Sequence, residues 1–133
     1  MTEVIAMMHS RIFPIARVAL GTYLLDNLDP LRSAAELLGG PKAAKRVMAL
    51  AQDLSEPVPL TTRMGRALAW FEGLLTLERV HDFDTVEAER FAAIDPLDPV
   101  VADICALSDG FTDALTALRL EAPEIFQRRA EAA

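Results

Sequence analysis

Residues 99–120 read PVVADICALSDGFTDALTALRL, and this stretch decides the fold class of the chain. Its large apolar residues recur every three or four positions, which is the period of one face of an α-helix. They are Ile104, Leu107, Phe111, Leu115 and Leu118. The pair Asp98-Pro99 opens the stretch in the way that a capping residue and a first-turn proline open a helix. The spacing therefore predicts one long amphipathic helix over 99–120.

A second stretch, residues 62–80, repeats this period. Met64, Leu68, Phe71 and Leu75 form its stripe, and Ala67, Trp70, Leu74 and Leu77 lie beside it. These two helices, near 62–80 and 99–120, are the predicted core.

Proline and glycine residues along the chain predict where the remaining helices begin and end. Helices are expected near 3–27, 30–38, 41–53, 85–94 and 123–131, with a kink near Pro14 and a proline-rich loop near 54–61. A capping box is expected at Asp84-Thr85-Val86-Glu87. No stretch alternates apolar and polar residues as a β-strand would. We therefore predict an all-α fold, a compact single-domain helical bundle of about six or seven helices spanning 1–133.

Composition supports this class and excludes others. The chain has 133 residues, 52% of them apolar or aromatic, and this content excludes a disordered chain. The net charge of −7 argues against general coating of nucleic acid. Residues 1–66 nevertheless carry +2 and residues 67–133 carry −9, so the acid is concentrated in the second half.

That acidic half supplies the first candidate binding face. Asp103, Asp109 and Asp113 lie on the predicted long helix, where uncompensated carboxylates fit a basic protein partner. The alternative is a solvated face with acidic caps.

Small residues supply the second candidate. Gly65, Ala69 and Gly73 recur every four residues on one helix, and two glycines inside a helix indicate a close backbone approach. The stripe marks either a homodimer contact or a close crossing within the chain.

A third candidate concerns DNA. Residues 33–50 resemble a helix-turn-helix, in which Ala35 and Gly39 have the turn spacing and Lys42, Lys45 and Arg46 would contact DNA. The alternative interpretation of the same residues is two short helices joined by Gly-Gly-Pro. A DNA-binding regulator is therefore the alternative function.

The second alternative is a metal-dependent hydrolase. His81-Asp82 resembles the pair with which all-α phosphohydrolases bind metal, but His9 is the one residue that could supply another imidazole. No catalytic constellation or phosphate loop is found, so we expect no enzyme activity, no cofactor and no metal.

The leading interpretation is a non-enzymatic protein-binding module, expected to be homodimeric and to have no membrane span. The single cysteine, Cys105, lies in an apolar helical pattern. It is expected to be a buried, reduced thiol in a cytoplasmic protein.

Overall fold

The computed structural model describes residues 14–78 and 85–127, and within them the fold is all-α, as predicted. Six α-helices and one 3₁₀ helix make up the described part. In chain order these are α1 (Ile15–Asp26), α2 (Leu28–Gly39), α3 (Pro41–Ser55), α4 (Thr62–Leu75), α5 (Val86–Ala92), α6 (Pro99–Glu121) and the 3₁₀ helix Pro123–Phe126.

Side-chain caps set the start of three helices. Asp98 accepts a hydrogen bond from the main-chain N–H of Val100, which confirms the predicted start of α6. Thr61 caps α4 in the same way. At α5 the cap is Thr85, which accepts from the N–H of Ala88, so this helix begins one residue later than the predicted capping box requires.

The predicted helix 3–27 can be compared with the structure only from residue 14, and the helices predicted at 62–80 and 123–131 differ clearly from the observed ones. Pro14 is the N-cap of α1, and the residues before it lie outside the described part. The helix predicted to reach residue 80 ends at Leu75, because Leu77 takes a left-handed φ of 61° that no α-helix continues through. At the helix predicted over 123–131, the described residues form a 3₁₀ turn, Pro123–Phe126, and residues 128–131 lie outside the described part.

The core lies where α4 and α6 meet, and the three N-terminal helices enclose it. Phe71 of α4 and Phe111 of α6 are fully buried and contact edge to face, with ring centroids 5.0 Å apart. Leu107, predicted in the α6 stripe, is only half-buried. Leucines of α1, α2 and α3 complete the same core, a contribution that the sequence analysis missed. They are Leu20, Leu24, Leu31, Leu38, Leu50 and Leu54.

Helices α1 and α6 run antiparallel, which two polar contacts fix. At one end the N–H of Ala16 donates to a carboxylate oxygen of Glu121, 3.1 Å away. At the other end the Tyr23 hydroxyl donates to the main-chain carbonyl of Leu107, 3.0 Å away. Burial raises the pKa of Tyr23.

Three arginines act as structural cations. Arg17 is fully buried and donates to main-chain carbonyls at and beyond the C-terminus of α3. Arg90 donates from Nε to the carbonyl of Leu37 near the end of α2, 2.9 Å away. Arg119 of α6 makes a bidentate ion pair with Glu72 of α4, with both distances near 3 Å. A cation at a helix C-terminus offsets the negative end of the helix dipole.

None of the helices within 14–78 and 85–127 combines the length and apolar character that crossing a membrane requires.

Candidate functional site

The acidic residues of α6 are exposed as a group. Asp103, Asp109 and Asp113 all face solvent, and none makes an ion pair with another residue of the described part. Asp109 and Asp113 are one helical turn apart on one side of α6. Asp103 projects about 120° away from Asp109 around the axis. The acidic face is therefore the pair Asp109 and Asp113, with Asp103 at its margin.

The three members of the small-residue stripe of α4 differ in their exposure to solvent. Gly65 and Gly73 are buried, whereas Ala69 between them is exposed. A Cβ on Gly65 would overlap the main-chain carbonyl of Ile125 in the 3₁₀ helix, so the close neighbour of this glycine belongs to the same chain. Two of the three residues are thus covered by the protein itself.

The segment that resembles a helix-turn-helix forms α2 and α3 with a single residue between them. Gly40 is that residue, and its φ of +85° is one that L side chains rarely adopt. Ala35 is fully buried, and Gly39 is close enough to Ala43 that an added Cβ would lie 2.7 Å from its Cβ. The fold therefore uses both glycines to bring two short helices together.

The three cations assigned to DNA contact, Lys42, Lys45 and Arg46, are exposed on the first turns of α3. Arg46 lies over the Trp70 ring of α4, with its guanidinium carbon 4.2 Å from the ring centroid. Part of this cationic cluster is thus held against a neighbouring helix.

The proposed metal ligands His81 and Asp82 lie outside the described residues, as does His9. Within the described ranges no three His, Cys, Asp or Glu side chains come together as a metal site would require.

The expectation for Cys105 is wrong. This thiol is exposed, because Cys105 lies on the face of α6 away from the buried stripe of Ile104, Ser108 and Phe111.

A surface that the sequence analysis missed lies on α1. Ile15, Val18 and Leu25 are 84%, 45% and 52% exposed, and Thr22 is exposed between them. We call these four residues the α1 strip. Their spacing of three, four and three residues is that of the a and d positions along which two helices pack. The buried face of α1 is formed by other residues: Ala16, Arg17, Leu20, Gly21 and Leu24.

The C-terminal end of the α1 strip continues into a groove on α3. The groove has a volume of about 560 Å³, and Met48, 42% exposed, lies in its wall. We call it the Met48 groove, and its lining comprises Leu25, Leu28, Lys45, Met48, Ala49, Ala51, Gln52 and Ser55. Leu25 belongs to both features, so they form one continuous surface.

A second groove, with a volume of about 190 Å³, lies between α3 and α4. Arg46 and Arg63 flank it, and Leu50 and Met64 form a buried apolar floor. Ala49, Asp53 and Ala67 complete this lining, and we call the feature the α3–α4 groove. Arg46 was among the residues predicted from the sequence, but Arg63 was not, because it lies on another helix and only the fold brings it near Arg46.

The sequence of α1 contains a pattern from which the α1 strip could have been predicted. Apolar residues lie on the exposed side of α1 as well as on its core-facing side, and a contiguous exposed apolar patch is typical of an interaction surface.

Comparisons with family models, with curated proteins and with solved structures found no match to this chain.

Proposed function

We propose that this protein is a non-enzymatic, protein-binding helical module that forms a homodimer through the α1 strip. The observation that carries the proposal is the exposure of Ile15, Val18 and Leu25 at helix-pairing spacing on a helix whose opposite face is already buried. Burying exposed apolar side chains is the main favourable term in most protein association.

A second copy fits this surface because the surface is self-complementary when two α1 helices run antiparallel. Ile15, the most exposed member, lies at one end of the α1 strip, and the Met48 groove lies at the other. The separation is ten residues, or about 15 Å along a helix. A two-fold axis between Val18 and Thr22 then places Ile15 of each copy over the Met48 groove of the other, as an isologous interface requires.

Charge supports the antiparallel arrangement. The α1 strip itself carries no charged residue, so like-charge repulsion does not oppose its pairing. Asp26 at the C-terminal end of α1 would lie near the N-terminus of the second α1, where a carboxylate is favourable for the helix dipole. The proposal places self-association on α1 instead of Gly65, Ala69 and Gly73.

The acidic face of α6 is the proposed docking surface for a further, basic protein partner. Asp109 and Asp113 repel each other at a spacing of four residues, and no cation of the described part pairs with them. A basic partner would relieve that repulsion.

The proposed cytoplasmic setting rests on the single cysteine, since a lone cysteine cannot form a disulfide within the chain.

Sedimentation velocity of the purified chain tests the homodimer. We expect a species of twice the chain mass that dissociates on dilution. Ile15→Glu and Leu25→Glu should shift the protein to monomer, because each puts a charge into the buried interface. Both positions are exposed in the monomer, so folding is preserved.

Leu97→Glu is the matched control, because Leu97 is 90% exposed and lies in the connection between α5 and α6. This variant should remain dimeric. A strict monomer at every concentration, or equal dissociation of all three variants, would contradict the proposal.

A further inference from the structure

We propose that the α3–α4 groove is a second binding site, which takes an acidic peptide segment of a partner protein by seating one apolar side chain between arginines. This site contains no residue of the α1 strip, shares only Ala49 with the lining of the Met48 groove, and does not depend on the proposed dimer.

The charge of the region is the first support. Lys42, Lys45, Arg63 and Arg66 are exposed, and none has an ion pair or hydrogen bond with another residue of the described part. Arg17, Arg90 and Arg119, in contrast, are each held by a carbonyl or a carboxylate. Within the described part, four of the five cations without such a partner therefore lie on the first two turns of α3 and α4, and the fifth, Arg32, lies on α2. Arg63 is the one of these four that lines the α3–α4 groove.

The size of the groove is the second support. At about 190 Å³ it is smaller than the 300–1,000 Å³ typical of pockets for metabolites or drug-sized ligands. It has room for a single side chain. Its floor is apolar, since Leu50 and Met64 are 2% and 6% exposed. A small apolar floor between guanidinium groups fits an apolar anchor flanked by carboxylates.

The chemistry of the rim distinguishes a peptide from nucleic acid. Asp53 lines the α3–α4 groove, and Glu87 lines the adjoining cavity beside Lys42 and Trp70. A duplex presents a continuous line of phosphates, which these two carboxylates would repel. A peptide can alternate its charges and side chains to avoid them.

Trp70 provides a direct readout, because it is the single tryptophan of the chain and Arg46 is stacked over its ring. The probe is a tryptophan-free synthetic peptide in which leucines are spaced among glutamates, titrated at low salt. We expect a saturable change in Trp70 fluorescence that weakens as salt is added. The same peptide with glutamine in place of glutamate should bind about tenfold more weakly.

Arg63→Glu is the decisive variant, because Arg63 lines the groove and has no hydrogen bond or ion pair to lose within the described residues. It should weaken binding of the acidic peptide about tenfold. Arg32→Glu is the matched control, since Arg32 is an exposed cation on α2 that lines neither groove. This control should bind as the unmodified protein does.

Three results would overturn the proposal. One is no binding of the acidic peptide at low salt, and another is equal weakening by Arg63→Glu and Arg32→Glu. The third is tighter binding of a DNA duplex than of the peptide, which would favour the DNA-binding alternative at Lys42, Lys45 and Arg46.

Discussion

Arg17, in the first turn of α1, donates from Nε to the main-chain carbonyl of Leu54, 3.3 Å away and 37 positions later in the chain. Its two other nitrogens donate to the carbonyls of Asp53, Glu56 and Val58. One planar guanidinium thus binds the end of α3 and the loop that follows. The desolvation that accompanies this burial lowers the pKa of Arg17.

Replacement of Arg17 by Met should lower the free energy of unfolding by about 3–5 kcal/mol, because removing one partner leaves buried carbonyls without donors. Arg17→Lys should recover only part of this loss, since an ammonium cannot reproduce the planar fork. Urea unfolding measures both. Arg32→Met is the control and should change stability by less than about 0.5 kcal/mol. An Arg17→Met variant as stable as the control would contradict the role assigned to Arg17.

Two helical glycines should respond to alanine in opposite directions. A Cβ on Gly65 would overlap the carbonyl of Ile125, so Gly65→Ala should destabilise the protein or displace the 3₁₀ helix. Gly21 is the matched control, because a Cβ there would meet its nearest neighbour, the Leu54 carbonyl, at 4.0 Å. Gly21→Ala should therefore stabilise by up to about 1 kcal/mol through helix propensity. Thermal unfolding of the two variants compares them, and equal effects would refute the assigned contact.

Stability should fall as the pH rises above about 10, the usual pKa of tyrosine. The folded state raises the pKa of Tyr23, so above that pH the unfolded chain loses this proton first and is favoured. The phenolate also loses the hydrogen bond to the Leu107 carbonyl. Tyr23 is the single tyrosine of the chain, so phenolate absorbance reports its titration directly. Tyr23→Phe should flatten this part of the pH profile, and an unchanged profile would argue against the linkage.

The sequence predicted most of the helices because their signals are local. The period of Ile104, Phe111 and Leu115 and the cap at Asp98 act within a few residues, and the structure contains both. Arg17 shows the limit of such reasoning. In the sequence, a cation within an apolar stretch indicates only a break in the apolar pattern. The partners of Arg17 near Leu54 are recognisable only once α1 and α3 are packed together.

The candidate surfaces were harder to predict for the same reason. Arg46 and Arg63 are seventeen positions apart and flank one groove because α3 packs on α4. The burial predicted for Cys105 was wrong, because an apolar stretch on a long helix need not place every member on the buried face.

Cys105 should react with a thiol reagent in the folded protein about as completely as in the unfolded protein, because its side chain is exposed. Colorimetric thiol titration with and without denaturant measures the difference. A thiol that reacts only after unfolding would show that Cys105 is covered.

The antiparallel pairing of two α1 helices is tested most directly by disulfide trapping in a Cys105→Ser background. The proposed two-fold axis places Val18 of one copy opposite Thr22 of the other. A mixture of Val18→Cys and Thr22→Cys chains should therefore form covalent dimers more completely than either variant alone, while Leu97→Cys should form few. Absence of covalent dimers from the mixture, or most complete trapping by Val18→Cys alone as in a parallel pair, would contradict the account.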